Sequence, residues 1–551
     1  MRGRAPRAIV DALTSGPMRY QGLALSGDER RAVAEFITGR KLGGTVAGAR
    51  VGACGRGQPP LADPAAGPAW NGWGPTVENT HFQPAGQAGL TAAQVPHLHL
   101  EWAFGFPDTT SAWAEPTVAG GRLFVGSQNG TVYSLDAATG CSVWTFAAES
   151  GVRAAISIGA RRRGGRPAAF VADQQGFVYA LDAASGRLLW KRKVDDHPLV
   201  RLTGAPTLYG GRLYVPTSSY EEGGRPPGYA CCTFRGSVVA LDAQTGDVVW
   251  RSYTIPEVPR LLRAYADGTE LRGPAGGAIW SAPTVDVKRG ALYVGVGNTY
   301  SGPLQATTDA ILAFDLATGA RRWARPMTSA TPDVFGCTPG DVNCGDRPGP
   351  DFDFGASPVL ATLPTGRQLI IAGQKSGVVY ALDPDKQGQQ VWRYRAGGGS
   401  GLGGIQWGIA ADAERAYVPV AEIYSPTPGG LHAIDLATGM RAWYAPPDVP
   451  VCGKPGRACS GAQFSAVSAI AGIVFSPSND GAVRAYATRD GAVVWQFDTN
   501  RDFTTVNGVR ARGGSMNGPA PTVAGGRVYV SSGYGAFGLR PGNVLLAFGV
   551  D

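Results

Sequence analysis

From about residue 81 onward, short runs of Val, Tyr, Leu and Ala are punctuated by turn residues, and one unit recurs along the chain. A strand of the type GRLFVGS leads through a turn to a second strand such as GTVYSLD. A tight Ala-Thr-Gly turn and a strand ending in Trp follow. The blocks are VYSLDAATGCSVW (132–144), VYALDAASGRLLW (178–190), VVALDAQTGDVVW (238–250), ILAFDLATGARRW (311–323), VYALDPDKQGQQVW (379–392), LHAIDLATGMRAW (431–443) and VRAYATRDGAVVW (483–495). An eighth outer half, GRVYVSS and VLLAFGVD, ends the chain, and its missing Trp strand stands near the start in LHLEWAFGF. Short strands at this period predict blades arranged in a ring. The first and last segments complete one blade together, which removes the free sheet edges. The expected fold is therefore all-β, an eight-bladed β-propeller over 81–551 closed by its N- and C-terminal strands.

The repeat carries Trp102, Trp144, Trp190, Trp250, Trp323, Trp392, Trp443 and Trp495, each expected to wedge between blades. The Asp and Gly of D-x-x-T-G shape a turn and carry no catalytic expectation. The Trp spacing is uneven: 42 residues separate Trp102 from Trp144, but 73 separate Trp250 from Trp323 and 69 separate Trp323 from Trp392. The extra residues are loop insertions in blades three to five, where repeat folds tend to gather function on one face.

Composition narrows the picture. Gly (81) and Pro (41) are abundant in the 551 residues, but 44% hydrophobic content argues against disorder. The net charge of +8 comes mostly from scattered Arg. The one tight run, Arg161, Arg162, Arg163 and Arg166, reads as an exposed hairpin tip, and no nucleic-acid partner is expected. Eight Cys suit disulfides in an oxidising compartment, with Cys337/Cys344 and Cys452/Cys459 each closing a short loop and Cys54 and Cys141 left to pair with each other. None of these has zinc-knuckle spacing. A periplasmic or secreted location is expected, although residues 1–30 show no apolar signal core, and no apolar run is long enough to span a membrane.

Residues 1–43 differ from the rest. Ile9, Leu13, Val33, Phe36 and Ile37 sit at helical spacings, and Ser26 with Glu29 forms a capping box predicting a helix over roughly Asp28–Arg40. The stretch resembles the C-terminal half of a class I cytochrome c domain, with Met18 in the place of the distal haem ligand. The C-x-x-C-H attachment motif is absent, so haem c is not expected in this chain as it stands. A truncated or mis-started chain is the expectation, and it would also account for the missing signal peptide. Residues 44–80, rich in Gly, Pro and Ala, read as a linker.

The repeat and its non-repeat residues resemble the PQQ (pyrroloquinoline quinone)-dependent alcohol dehydrogenases over nearly all of 81–551, and within them the cytochrome-type polyvinyl alcohol dehydrogenases. The resemblance implies a site built in chain order. Arg153 in GVRAA would pair with cofactor carboxylates, and Thr203 in LTGAP and Ser218 in PTSSYEE would bond the cofactor. Glu221 would ligate a divalent cation, with Glu222 as the substitute. Trp280 in GAIWSAP would form the floor under the quinone, and Asn298, 18 residues later in a Gly-x-Gly-Asn turn, would be a second ligand. Asp353 in DFDFGAS would serve as base and cation neighbour, with Asp351 as the alternative. Lys375 would contact the quinone oxygens, and Glu115, Gln406 and Trp407 would complete the shell. Adjacent Cys231 and Cys232 in CCTFRG match the vicinal disulfide of the polyvinyl alcohol group, although in typical relatives that pair precedes the Arg.

Carboxylate and amide oxygens suit a hard cation such as Ca²⁺, and Arg suits carboxylates. The implied reaction is oxidation of an alcohol, polymeric secondary alcohols included, with electrons passed to a cytochrome c. A cofactor-free propeller scaffold that binds protein partners is the competing reading. Gly399, Gly401 and Gly404 fit G-x-G-x-x-G, but no helix is signalled after them, so no nucleotide site is expected. The five His form no cluster and there is no G-x-S-x-G.

Overall fold

The computed structural model describes residues 6–14, 18, 27–39, 52–55, 59–161, 165–222, 229–328, 349–423, 425, 429–456 and 458–551. These form eight antiparallel sheets of four or five strands, the blades of a propeller. Blades 1 to 7 span residues 117–147, 157–193, 207–253, 284–326, 359–395, 410–445 and 468–498. In blade 8 the strand His99–Gly105 pairs with Val544–Gly549, Phe104 facing Leu545, so the two ends of the ring meet in one sheet. The first strands of the blades touch one another around the ring and form its inner wall.

The outer Trp strands show why the repeat reads as it does. Each Trp faces a small residue on the neighbouring strand: Trp144 faces Ser134, Trp190 faces Ala180 and Trp392 faces Ala381. A bulge follows at once, between Ala180 and Leu181 in blade 2, and re-aims the strand end. The indole then leaves its own blade and lies on the turn of the next. A methyl at Gly186 would sit 2.7 Å from the Trp144 ring, and one at Gly246 would sit 2.8 Å from Trp190. The indole N–H of Trp144 donates to Ala183 O at 3.0 Å, and that of Trp443 to Thr488 O at 2.7 Å. Trp495 closes the circle by donating to Leu98 O at 3.0 Å. The turn Asp are local scaffolding, as expected: Asp136 Oδ1 accepts from the Thr139 N–H at 3.0 Å and from its hydroxyl at 2.8 Å.

Part of the stretch expected as a linker does more than connect. Residues 70–83 cross the ring and hydrogen-bond to the first strands of successive blades. Trp70 exchanges backbone bonds with Val118, Val285 N–H donates to Val77 O, Leu360 N–H to Glu78 O, Ala411 N–H to Thr80 O, and Gln83 N–H to Ala469 O. The side chain of Gln83 reaches Val523 O in blade 8 at 2.7 Å. The Gly/Pro content that suggested a linker instead permits an irregular strap whose backbone groups are satisfied by blade edges.

Among the described residues two short helices precede it, α1 (Pro6–Thr14) and α2 (Gly27–Thr38), the second matching the expected helix to within two residues at its C-terminal end. Ile9, Leu13 and Ala34 are buried between them, with Met18 packed against this cluster. Ser26 of the expected capping box lies outside the described residues, as do Arg162, Arg163, Cys337 and Cys344. Disulfides join Cys54 to Cys141, Cys231 to Cys232 and Cys452 to Cys459. No helix is long and apolar enough to cross a membrane among the described residues.

Candidate functional site

The loops that enter the first strands from one side of the ring converge on a cavity of about 150 Å³. Arg153, Thr203, Trp280, Gln406, Phe464 and Asn517 line it, each a few residues before the first strand of its blade. The end of the second strand of blade 3 adds Ser218 and Ser219, and loops after second strands add Glu222, Lys375, Tyr534 and Phe537. One repeated position thus delivers a different side chain from blade after blade.

Acidic groups gather around Lys375. Glu222, Asp351 and Asp353 each offer a carboxylate oxygen, and these oxygens lie within 4.8 Å of one another. Lys375 Nζ donates to Asp353 Oδ2 at 3.0 Å and to the two oxygens of Asp351 at 3.1 and 3.2 Å. Burial works against the ammonium, but Asp351, Asp353 and Glu222 outweigh it and hold its pKa above the ordinary lysine value. Asp353 is fixed on both oxygens. Oδ2 also accepts the Trp280 indole N–H at 2.9 Å, and Oδ1 accepts the backbone N–H of Asn298 at 2.7 Å. Asp351 reaches Lys375 from a left-handed backbone, φ 55°, a conformation a non-glycine residue adopts only where its surroundings impose it.

Aromatic and cationic groups form the remainder. Trp280 and Trp407 meet edge to face with centroids 5.1 Å apart. Gly355 leaves the Trp280 ring no freedom on one side, since a methyl there would overlap the indole. The Arg153 guanidinium stands over Trp407 at 4.3 Å, with Trp113 at 5.4 Å and Tyr534 at 5.5 Å. Its Nη2 is buried without a hydrogen-bond partner, and burial depresses its pKa.

Not every expected residue faces the cavity. Arg153, Thr203, Ser218, Trp280, Asp353, Lys375, Gln406 and Trp407 line it together. Glu221 does not. Its Oε1 accepts from Tyr229 Oη at 2.9 Å and Thr233 N at 2.8 Å, and its Oε2 from Phe234 N at 2.8 Å. It is committed to fastening the loop that carries Cys231 and Cys232, and Glu222 is the glutamate at the cavity. Asn298 is buried against Asp353 through its backbone and is absent from the cavity lining. Glu115 is likewise set back, accepting from Trp70 Nε1 and Ala520 N, both at 2.9 Å, and burial pushes its carboxyl up to about 8. It ties the strap to blade 8.

The Cys231–Cys232 disulfide is buried beneath the wall, in an apolar cluster with Phe234 and Tyr300 against which Trp280 packs. The glycines of the G-x-G-x-x-G stretch wrap a protein carboxylate: Glu422 Oε1 accepts from Gly399 N at 2.7 Å and Gly404 N at 3.1 Å. Arg201, Tyr300, Phe464, Asn517, Tyr534 and Phe537 line the cavity without having been singled out by the sequence. The regular placement of such loops before each first strand was the signal that could have found Phe464 and Asn517.

The site fits PQQ and a divalent cation on its own chemistry. It holds a buried guanidinium, with no hydrogen-bond partner at Nη2, for a carboxylate, indoles for a flat ring, and clustered carboxylate oxygens for a hard ion.

Comparison with known proteins agrees with this construction. A family model described as "Outer membrane protein assembly factor BamB" matches residues 99–336 and 375–541. A polyvinylalcohol dehydrogenase of Pseudomonas sp. is 41% identical over 572 aligned residues, covering 99% of this chain and 89% of that protein. A second polyvinylalcohol dehydrogenase, from Sphingopyxis sp. (strain 113P3), is 40% identical and covers 90% of this chain and 78% of its own. In fold, the chain is similar to the quinohemoprotein alcohol dehydrogenase ADHIIG of Pseudomonas putida HK5, with a TM-score of 0.64 at 18% identity over 89% of this chain and 80% of that one. With this identity carried along nearly its whole length, the chain belongs to the PQQ-type propeller alcohol dehydrogenases, in the group of the polyvinylalcohol dehydrogenases.

Proposed function

We propose that the protein oxidises secondary alcohols, polymeric ones among them, to ketones with PQQ and a divalent cation. The observation that carries this is the segregation of charge in one cavity: three carboxylates and Lys375 at Trp280, and at Trp407 a guanidinium with no carboxylate partner and a buried, unbonded Nη2. When bound, PQQ supplies the acceptor for the carbon-bound hydrogen and its electron pair, and the cation draws charge from the accepting carbonyl.

The chain's own residues do the rest. Arg153 takes a cofactor carboxylate, Thr203 and Ser218 offer hydroxyls, and Trp280, with Trp407 edge to face against it, gives the ring site an apolar, dry surface. Glu222 and Asp351, with Asp353, hold the cation, for which Ca²⁺ suits the all-oxygen donors. Asp353 takes the alcohol's hydroxyl proton on its carboxylate. Its fixed orientation, from Trp280, Lys375 and the Asn298 N–H, removes the entropy of finding the proton. Tyr534 and Phe537, stacked with centroids 6.4 Å apart, place an apolar step beside the cavity on which a hydrocarbon backbone can lie. Electrons then leave to a cytochrome c, and the three described disulfides suit a periplasmic or secreted setting.

Reconstitution tests the reading. The purified protein is mixed with PQQ and Ca²⁺, and dye reduction is followed with 2-propanol, polyvinyl alcohol and glucose. Activity with the two alcohols that needs both additives and disappears in Asp353→Asn is expected. Absence of PQQ binding at high concentration would return the propeller to the class of protein-binding scaffolds.

A further inference from the structure

Two guanidinium groups line the cavity, and the reading above uses one of them. The other belongs to Arg201, at the end of the short strand Val200–Arg201 that pairs with Ser218 and Ser219. Its guanidinium stacks 3.9 Å from the Tyr220 ring. Its Nη2 lies 3.4 Å from Gln174 Oε1, an oxygen already accepting from Tyr220 Oη at 3.0 Å, and its Nε is buried without a partner. Tyr220 and Gln174 therefore hold the group in place without neutralising it.

Among the described residues no carboxylate stands within ion-pair distance of Arg153 or Arg201, because the acids of the cavity are gathered on Lys375. Burial depresses the Arg153 guanidinium, and the charge of Arg201 depresses it further, so the two cations repel each other in a poorly solvated space. Like charges with unused donors in one cavity are stabilised by an anion, and a ligand that carries more than one carboxylate can engage both guanidinium groups.

We propose that Arg201 is a second anchoring residue for the carboxylates of the cofactor, acting beside Arg153. The inference rests on the PQQ reading and adds to it a site for a second negative group of the same ligand. The opposing role for Arg201 is purely structural, as a strut between Tyr220 and Gln174, and the two roles predict different measurements.

PQQ is titrated into the cofactor-free protein with Ca²⁺ held constant, and quenching of the indole fluorescence gives a Kd. Arg201→Gln should bind PQQ about ten- to a hundredfold more weakly, the range for one charge-assisted hydrogen bond, and Arg201→Lys should fall between. The trimethyl ester of PQQ, which lacks the charges, should bind wild type and Arg201→Gln alike. The cofactor-free Arg201→Gln protein should melt at or above the wild-type temperature, since a repulsion has been removed. An unchanged PQQ Kd in Arg201→Gln, or equal weakening of acid and ester, overturns the proposal while leaving the cofactor reading intact. Wild-type protein that does not bind PQQ overturns both.

Discussion

Trp280 donates its indole N–H to Asp353 Oδ2 across 2.9 Å, so the residue proposed as the floor of the cofactor site also orients the group proposed as base. Replacement by Phe keeps an aromatic surface and removes only the donor. Trp280→Phe is expected to lower kcat about tenfold while PQQ affinity changes by less than about threefold, since one hydrogen bond to a charged group is lost. Asp353→Asn should cost about 10²- to 10⁴-fold in kcat, the usual contribution of a positioned base. Steady-state kinetics on the reconstituted variants separates the two. If Trp280→Phe left kcat untouched, orientation of Asp353 through the indole would be ruled out.

The blade seam offers a cleaner test of stability. Gly186 and Gly210 both have left-handed backbones, φ 73° and 59°, so Ala carries a similar conformational cost of about 1 kcal/mol at either position. They differ in their surroundings: a Cβ at Gly186 would lie 2.7 Å from Trp144, whereas nothing lies within 4 Å of one at Gly210. Gly186→Ala should therefore be the more destabilising by about 1–3 kcal/mol of overpacking. Denaturant or thermal unfolding of the two variants measures the difference, and equal losses would show that the indole does not lock the seam.

Glu115 makes stability depend on pH. Burial raises its folded-state pKa to about 8 from an ordinary value of 4.5. A group whose folded value is raised adds stability that is fully present below the unfolded value and is lost as pH rises through the folded one. The lost linkage reaches at most about 5 kcal/mol between pH 4.5 and 8. Other buried groups titrate in the same range, Asp173 at about 6 and His81 at about 4, so the informative quantity is the difference between wild type and Glu115→Gln at each pH. The wild type should lose stability relative to that variant as pH climbs from 5 to 8. A difference that stayed flat would mean that the carboxyl titrates normally.

The ring was legible because its signals are chemical and repeated. The Trp, the small residue facing it and the turn Gly recur at fixed offsets, and each answers a packing need of the next blade. The strap over 70–83 was not legible, because many of its bonds run through backbone groups that any sequence supplies, and its side-chain bonds, such as that of Gln83 to Val523 O, follow no period. The sequence favoured Glu221 with Glu222 as the alternative, and it is Glu222 that lines the cavity; the pair sits in a turn, where no period of two fixes which side chain faces inward. Arg201 was invisible for another reason: what marks it is the absence of a carboxylate in space, which no spacing along the chain encodes.

The two adjacent glutamates can be told apart by what their loss affects. Glu222 offers its oxygen to the cluster with Asp351 and Asp353, so Glu222→Gln removes one negative ligand from the cation. The expected result is a rise of at least about tenfold in the Ca²⁺ concentration that half-restores activity, with the melting temperature of the cation-free protein unchanged or raised as repulsion among the acids falls. Glu221 is bonded instead to Tyr229 Oη and to the N–H groups of Thr233 and Phe234. A Gln there keeps one acceptor oxygen and turns an amine toward a donor, leaving a buried bond unmade at about 1–3 kcal/mol. Glu221→Gln should therefore unfold at a lower temperature, and once folded it should require nearly the wild-type level of Ca²⁺. Calcium titration of activity alongside thermal melting of both variants decides the assignment. The reverse pattern, with the calcium requirement moving in Glu221→Gln and stability falling in Glu222→Gln, would return the ligand role to Glu221.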